Sequence, residues 1–133
     1  MNIDEMKERI DLGLFRHLGI EIVDLGHGKA SGRMQVGEIH LAPNGYLHAG
    51  SVVSLADSTC GVGTIASIGG RMPGFTTVEL KSNFLGTVQD GVVLCEARAA
   101  HLGKTTQVWD AEVSSEDSGR TIALFRCTQL ILS

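Results

Sequence analysis

No stretch of this chain stays apolar for the ~20 residues needed to cross a bilayer. The opening Met1-Asn2-Ile3-Asp4-Glu5 is acidic and polar, where a secretory leader would be basic and then apolar. Positive charge is also scarce: 11 Lys and Arg stand against 15 Asp and Glu, a net charge of −4. That balance argues against broad nucleic-acid binding, which needs a basic face. It leaves room for a polyanionic small molecule held by a few local Lys and Arg. The three cysteines (Cys60, Cys95, Cys127) are an odd number, each among apolar or small neighbours. A disulfide framework is therefore not expected, and the thiols read as free and buried in a reducing compartment. The expectation is a cytoplasmic protein with no membrane segment.

Several catalytic signatures are missing too. There is no Gly-x-Ser-x-Gly elbow for a serine hydrolase. The histidines (His17, His27, His40, His48, His101) are scattered without paired ligand spacing, so no metal site is expected. Gly103-Lys104-Thr105 resembles the end of a nucleotide-triphosphate loop, but Arg98 stands where the earlier glycine belongs and the segment joins two strands. Such a turn can still offer backbone N–H groups and Lys104 to a phosphate. Nothing around Cys60 suggests a reactive thiolate.

At 133 residues the chain is one domain, 1–133, large enough to bury a core without staples. Residues 3–17 place Ile3, Met6, Ile10 and Leu14 on one face of an amphipathic helix weakened by Gly13. A strand over 18–24 and the alternating Ala30, Gly32, Met34, Val36 make a hairpin about Gly26-His27-Gly28. After the breakers Pro43, Asn44 and Gly45 comes a long, nearly all-apolar helix running to about Ser67. Beyond Gly69-Gly70-Arg71-Met72-Pro73 the chain reads as four strands, from Phe75, Val92, Thr105 and Ile122. Val78, Leu80 and Phe84 are expected on one face of the first, and Ile122, Leu124, Leu130 and Leu132 on one face of the last. The fold class is α+β: a long antiparallel sheet wrapped around one buried central helix. Such a sheet has edges, and continuing it into a second copy would cover one.

The helix carries one odd stripe. Gly50, Ser54, Asp57, Ser58 and Gly61 fall at i, i+4, i+7, i+8 and i+11, so small and polar groups share a face with one carboxylate. A buried charge is costly unless paired or used. On the residues alone, His48 and Asp57 read equally as a loop anchor with a satisfied polar group, or as chemistry. In the second reading the helix start at Ala49 and Gly50 offers unpaired N–H groups to an oxyanion, and Asp57 acts on a carbonyl carbon directly or through water. The small stripe leaves room for a ligand.

Asn44-Gly45-Tyr46-Leu47-His48-Ala49-Gly50, followed by Ser54-Leu55-Ala56-Asp57, resembles the phenylacetyl-CoA thioesterase family of hotdog-fold acyl-CoA thioesterases. Phe75 to Leu80, Asn83-Phe84-Leu85 and Gly103-Lys104-Thr105 add to the resemblance, which covers about residues 18–132. It implies hydrolysis of an acyl-CoA, with coenzyme A as part of the substrate and no cofactor required. Asp57 matches the catalytic nucleophile or base, His48 the motif histidine, and Ala49–Gly50 the helix-start pair whose first N–H faces the thioester oxygen. Thr77 matches a Ser/Thr that orients the attacking water from the partner subunit in some members. His101, Leu102, Gly103, Lys104 and Thr105 match the segment that contacts coenzyme A, with Lys81 or Arg71 as further phosphate contacts. Two positions depart: Ala49 replaces a glycine, and Ala42 stands where an Asn is frequent, leaving Asn44 to fill that role. At least a homodimer is implied, with a homotetramer expected. A same-fold hydratase or dehydratase and a non-catalytic acyl-CoA-binding module are the alternatives. Aryl-acetyl, benzoyl and medium-chain acyl groups are all compatible with a pocket poor in aromatics.

Overall fold

The computed structural model describes residues 1–133. Two short helices, α1 (Ile3–Ile10) and α2 (Gly13–His17), precede a hairpin of β1 (Ile20–Gly26) and β2 (Lys29–Gln35). A single 3-10 turn, Glu38–His40, leads to the long helix α3 (Ala49–Ser67), and β3 (Phe75–Phe84), β4 (Val92–Leu102), β5 (Thr106–Ser115) and β6 (Thr121–Ile131) complete the chain. All six strands form one antiparallel sheet in the order β1-β2-β4-β5-β6-β3. The sheet curls around α3, whose Leu55, Ala56 and Cys60 bury against Val93, Cys95, Ala111, Val113 and Phe125. This is the hotdog arrangement that the resemblance implies. No helix is long and apolar enough to cross a membrane.

Glycine sets how closely α3 approaches the sheet. A Cβ on Gly63 would come within 2.5 Å of the ring of Trp109, which is fully buried on β5, and one on Gly61 would come within 2.8 Å of the Phe75 ring on β3. Both residues let an aromatic ring lie directly on the helix backbone.

Three expectations need correction. The N-terminal helix is two helices, because Gly13 takes φ +58° and the chain turns at Asp11 and Leu12; Met6 is fully buried but Leu14 is 62% exposed. In β3 the register slips between Thr77 and Glu79, so Thr77 (opposite Gln129) and Leu80 (opposite Cys127) share the helix-facing side that Val78 does not. Val78, Leu80 and Phe84 are all substantially exposed, because β3 is an edge strand with nothing over its outer half. In β6 the buried row is Ala123, Phe125, Cys127 and Gln129, while Leu124, Leu130 and Leu132 are exposed. Of the four residues expected on the core face only Ile122 is buried.

Candidate active site

A buried histidine fixes where α3 begins. His40 Nδ1 accepts the Gly37 N–H at 2.9 Å, so its Nε2 carries the hydrogen and donates to the Leu18 carbonyl at 2.7 Å. The His40 carbonyl in turn accepts the His48 N–H and the Ser51 hydroxyl, each at 2.9 Å. The loop between β2 and α3 is thereby clamped to the start of β1. Sequence reading gave His40 no role, since an isolated histidine carries no pattern.

His48 is the N-cap. Its Nδ1 accepts the Gly50 N–H at 2.7 Å, and its carbonyl accepts the Ser51 and Val52 N–H groups at 2.9 and 3.3 Å. Of the first donors of the helix, Ala49 N–H alone has no acceptor within the chain. The expected Ala49–Gly50 pair is therefore one free donor and one already spent. Asn44 is occupied at its oxygen only: Oδ1 accepts the Tyr46 N–H at 3.1 Å, in a turn closed by Ala42 N–H to the Tyr46 carbonyl at 2.7 Å, and the exposed Nδ2 remains a donor.

Asp57 sits half-buried two turns further along. Burial pushes its carboxyl above the usual range, against the lowering effect of the Thr77 hydroxyl, which lies 3.1 Å from Oδ1. Thr77 and Asp57 thus meet within one chain. Thr77 Oγ1 also stands 2.6 Å from the side-chain amide of the fully buried Gln129 on β6. Gln129 was hidden from sequence reading because the leucines of β6 suggested the opposite phase.

The small stripe on α3 is only partly open. The His48 ring fills the space beside Gly50, and the Phe75 ring covers Gly61. What remains is a groove of about 370 Å³ beside Asp57 and Ser58, walled mainly by Ile10, Leu12, Phe15, Ile65 and Phe75 with Arg9 at its edge. The guanidinium of Arg9 is held by the Gly70 carbonyl at 2.9 Å and the Met72 sulfur at 2.7 Å. On the same helix the Cys60 thiol is raised well above its ordinary value by the neighbouring Cys127 thiol and by burial, which marks it as an inert core group. Burial likewise pushes Cys95 up to about 12.

The predicted phosphate contacts separate. Lys104 and Thr105 line one pocket of about 270 Å³ with Arg71, Ile68 and Met72, at the C-terminal end of α3. The turn from His101 to Thr105 is closed by Gly103 N–H to the Thr106 carbonyl at 2.9 Å, and His101 and Leu102 are exposed. A Cβ on Gly103 would approach that carbonyl oxygen to 2.8 Å, so the turn needs glycine. Lys81 does not join this group. It stands opposite Arg126 on the sheet face away from α3, because Leu80, its neighbour, pairs with the buried Cys127.

One spacing constrains what the site can do. Ala49 and Asp57 are eight residues apart on a straight helix, roughly 12 Å along the axis. A carbonyl oxygen bound ~2.9 Å from the Ala49 N–H and a carbon attacked from ~3.3 Å span well under that distance. The free donor and the carboxylate of one chain cannot serve the same carbonyl.

The family model described as the thioesterase superfamily matches residues 44–122, a span that holds the helix start, Asp57 and Thr77. The chain is 38% identical over 117 residues to a 1,4-dihydroxy-2-naphthoyl-CoA hydrolase of Listeria monocytogenes, covering 88% of this chain and 94% of that one. Among solved structures, a mutant thioesterase of Pseudomonas aeruginosa superposes with a TM-score of 0.90 at 27% identity, over 99% of this chain and 94% of that one. A mutant of the phenylacetic acid degradation protein of Thermus thermophilus gives 0.79 at 27% identity, over 89% and 97%. The chain belongs to the thioesterase superfamily.

Proposed function

We propose that the protein hydrolyses an acyl-CoA thioester, R–CO–S–CoA plus water giving R–COOH and HS–CoA, with Asp57 as the nucleophile or general base. The observation that carries the reading is a carboxylate held by a single neutral hydroxyl at the head of an apolar groove. Thr77 occupies Oδ1, which leaves Oδ2 to attack the carbonyl carbon or to take a proton from water. Burial without a cation makes Asp57 more basic than a surface carboxylate, and it works only while ionised.

The groove suits a flat or medium-length apolar acyl group. The activity named for the Listeria relative makes a bicyclic aromatic acyl thioester the first candidate. Arg71 and Lys104, which line one pocket, would meet the nucleotide phosphates.

The working unit is a dimer. The spacing of Ala49 and Asp57 supports this reading, with the oxyanion donor coming from one chain and the carboxylate from another. β3 is the edge that would join them, since it has one unpaired side and exposes Val78, Leu80 and Phe84 at 56, 41 and 46%, with Leu85 just beyond it at 61%.

Thiol release from a panel of naphthoyl, benzoyl, phenylacetyl, hexanoyl and β-hydroxyacyl thioesters of coenzyme A tests the reading. Wild type should release thiol, and Asp57→Asn, still folded, should lose ~10²-fold or more in kcat/KM. Equal turnover by both would make Asp57 structural. Loss of water from the β-hydroxyacyl thioester without thiol release would point to a dehydratase, and binding of coenzyme A without any turnover to a binding module.

A further inference from the structure

The fully buried amide of Gln129 presents a contradiction that only one arrangement removes. Thr77 Oγ1 lies 3.1 Å from Asp57 Oδ1 and 2.6 Å from the amide atom placed as Gln129 Oε1. A hydroxyl has one hydrogen and cannot donate to two acceptors. Gln129 Nε2, meanwhile, is buried with no hydrogen-bond partner, an arrangement that costs the full desolvation of a donor. The oxygen and nitrogen of an amide have nearly the same size, and the network decides which is which. Exchanging them turns the 2.6 Å contact into a donation from Gln129 to Thr77 and frees the threonine hydrogen for Asp57. It also places the amide oxygen in the row where Gln107 stands directly opposite Gln129. Gln107 spends its own Oε1 on the Trp109 indole at 2.8 Å, and its amide N–H groups are the donors that remain to it.

We propose that Gln129 is a positioning residue for Asp57: its amide donates to the Thr77 hydroxyl, and this commits the hydroxyl hydrogen to Asp57 Oδ1. The relay fixes the carboxylate rotamer and turns Oδ2 to the groove. The value of this for catalysis rests on the reading of Asp57 as base or nucleophile, but the relay itself does not. No ion competes with it from the elements packed against Asp57. Arg9 of α1 is the one other charged side chain in the groove wall and is held by Gly70 and Met72. β3 and β6 present Thr77, Gln129 and the Cys127 thiol, and α3 itself the Cys60 thiol.

The test is the titration of the Asp57 side-chain carboxyl, followed by carbon NMR in wild type, Thr77→Val, Gln129→Met and the double variant, beside the acid limb of kcat/KM. Methionine keeps the volume of glutamine and removes the donor. Without the amide donation the hydroxyl is a weaker donor with a less fixed direction. Gln129→Met should therefore move the Asp57 titration up by a few tenths of a pH unit, less than the ~1 unit expected of Thr77→Val. A downward move, which would mean that the Gln129 oxygen had been taking the Thr77 hydrogen, overturns the proposal. The double variant should move no further than Thr77→Val alone. A Gln129→Met titration at the wild-type position, or one that adds in full to that of Thr77→Val, overturns the proposal. In wild type the Gln129 amide protons should show strong Overhauser contacts to Thr77. Their absence overturns it equally, with no variant needed. A titration that moves while the acid limb stays in place keeps the relay and rejects Asp57 as the catalytic group.

Discussion

The two faces of one sheet treat an aspartate in opposite ways. On the outer face Asp110 stands directly across from Arg126, which grips it with two bonds of 2.6 and 2.8 Å and holds its carboxyl below the usual range. Glu21 and Arg33 make a further cross-strand ion pair, at 2.9 Å, on the β1–β2 hairpin. On the inner face Asp57 meets one neutral hydroxyl and a wall of apolar side chains, and its carboxyl is raised. Where the charge is matched, the carboxylate becomes a weaker base and its lone pairs are occupied. Where it is not, the fold carries a cost and keeps a group able to react. The contrast separates an ion-paired carboxylate from an unpaired one more sharply than burial alone does.

The largest effect should come from removing the other half of the inner site. Ala49→Pro deletes the one free N–H while keeping the helix, since proline suits the first helical position and His48 already has the extended φ −68°, ψ 137° that a following proline requires. Thiol release should fall by ~10²-fold or more. Mixing this variant with Asp57→Asn should restore activity, because the mixed dimer holds one site with both groups intact. Two inactive variants that stay inactive when unfolded and refolded together would refute a site shared between chains.

Stability against pH should show the faces smaller in size and opposite in sign. A carboxyl raised in the folded state binds its proton more tightly folded than unfolded, so its contribution is lost as pH rises through the folded value. Asp57→Asn should therefore raise the melting temperature at neutral pH, with the gain fading toward the ordinary carboxyl value of 3.8. Asp110 is lowered, so its contribution is present above 3.8 and lost on acidification. Asp110→Asn should lower the melting temperature at neutral pH by the smaller amount typical of exposed pairs, less so in high salt, and leave thiol release unchanged. Identical melting curves for the two variants would abolish the distinction.

The order of elements was legible in the sequence because periodicity and breakers act locally: helix, hairpin, long apolar helix, four strands. The phase of β3 and β6 was not. Large apolar residues suggest the core face, but the row beneath α3 is Ala123, Phe125, Cys127 and Gln129, and the leucines turn outward. The slip at Thr77 that brings Leu80 onto its face leaves no mark in composition. Asp57 stood out as the one charge on an apolar helix, whereas its neighbours Thr77 and Gln129 come from strands 20 and 72 positions along the chain. Likewise, a stripe of small residues looks open in one dimension, yet the His48 and Phe75 rings fill much of it.

Gly63 acts as a gauge block for this assembly. It touches nothing that reacts, yet the outer edge of the Trp109 ring against its backbone sets the height of α3 above the sheet. The 3.1 Å between Asp57 and Thr77 is a clearance cut to that height. A single methyl group inserted at position 63 would shim the helix off its seat, and the tolerance lost would appear a turn and a half away, at the carboxylate.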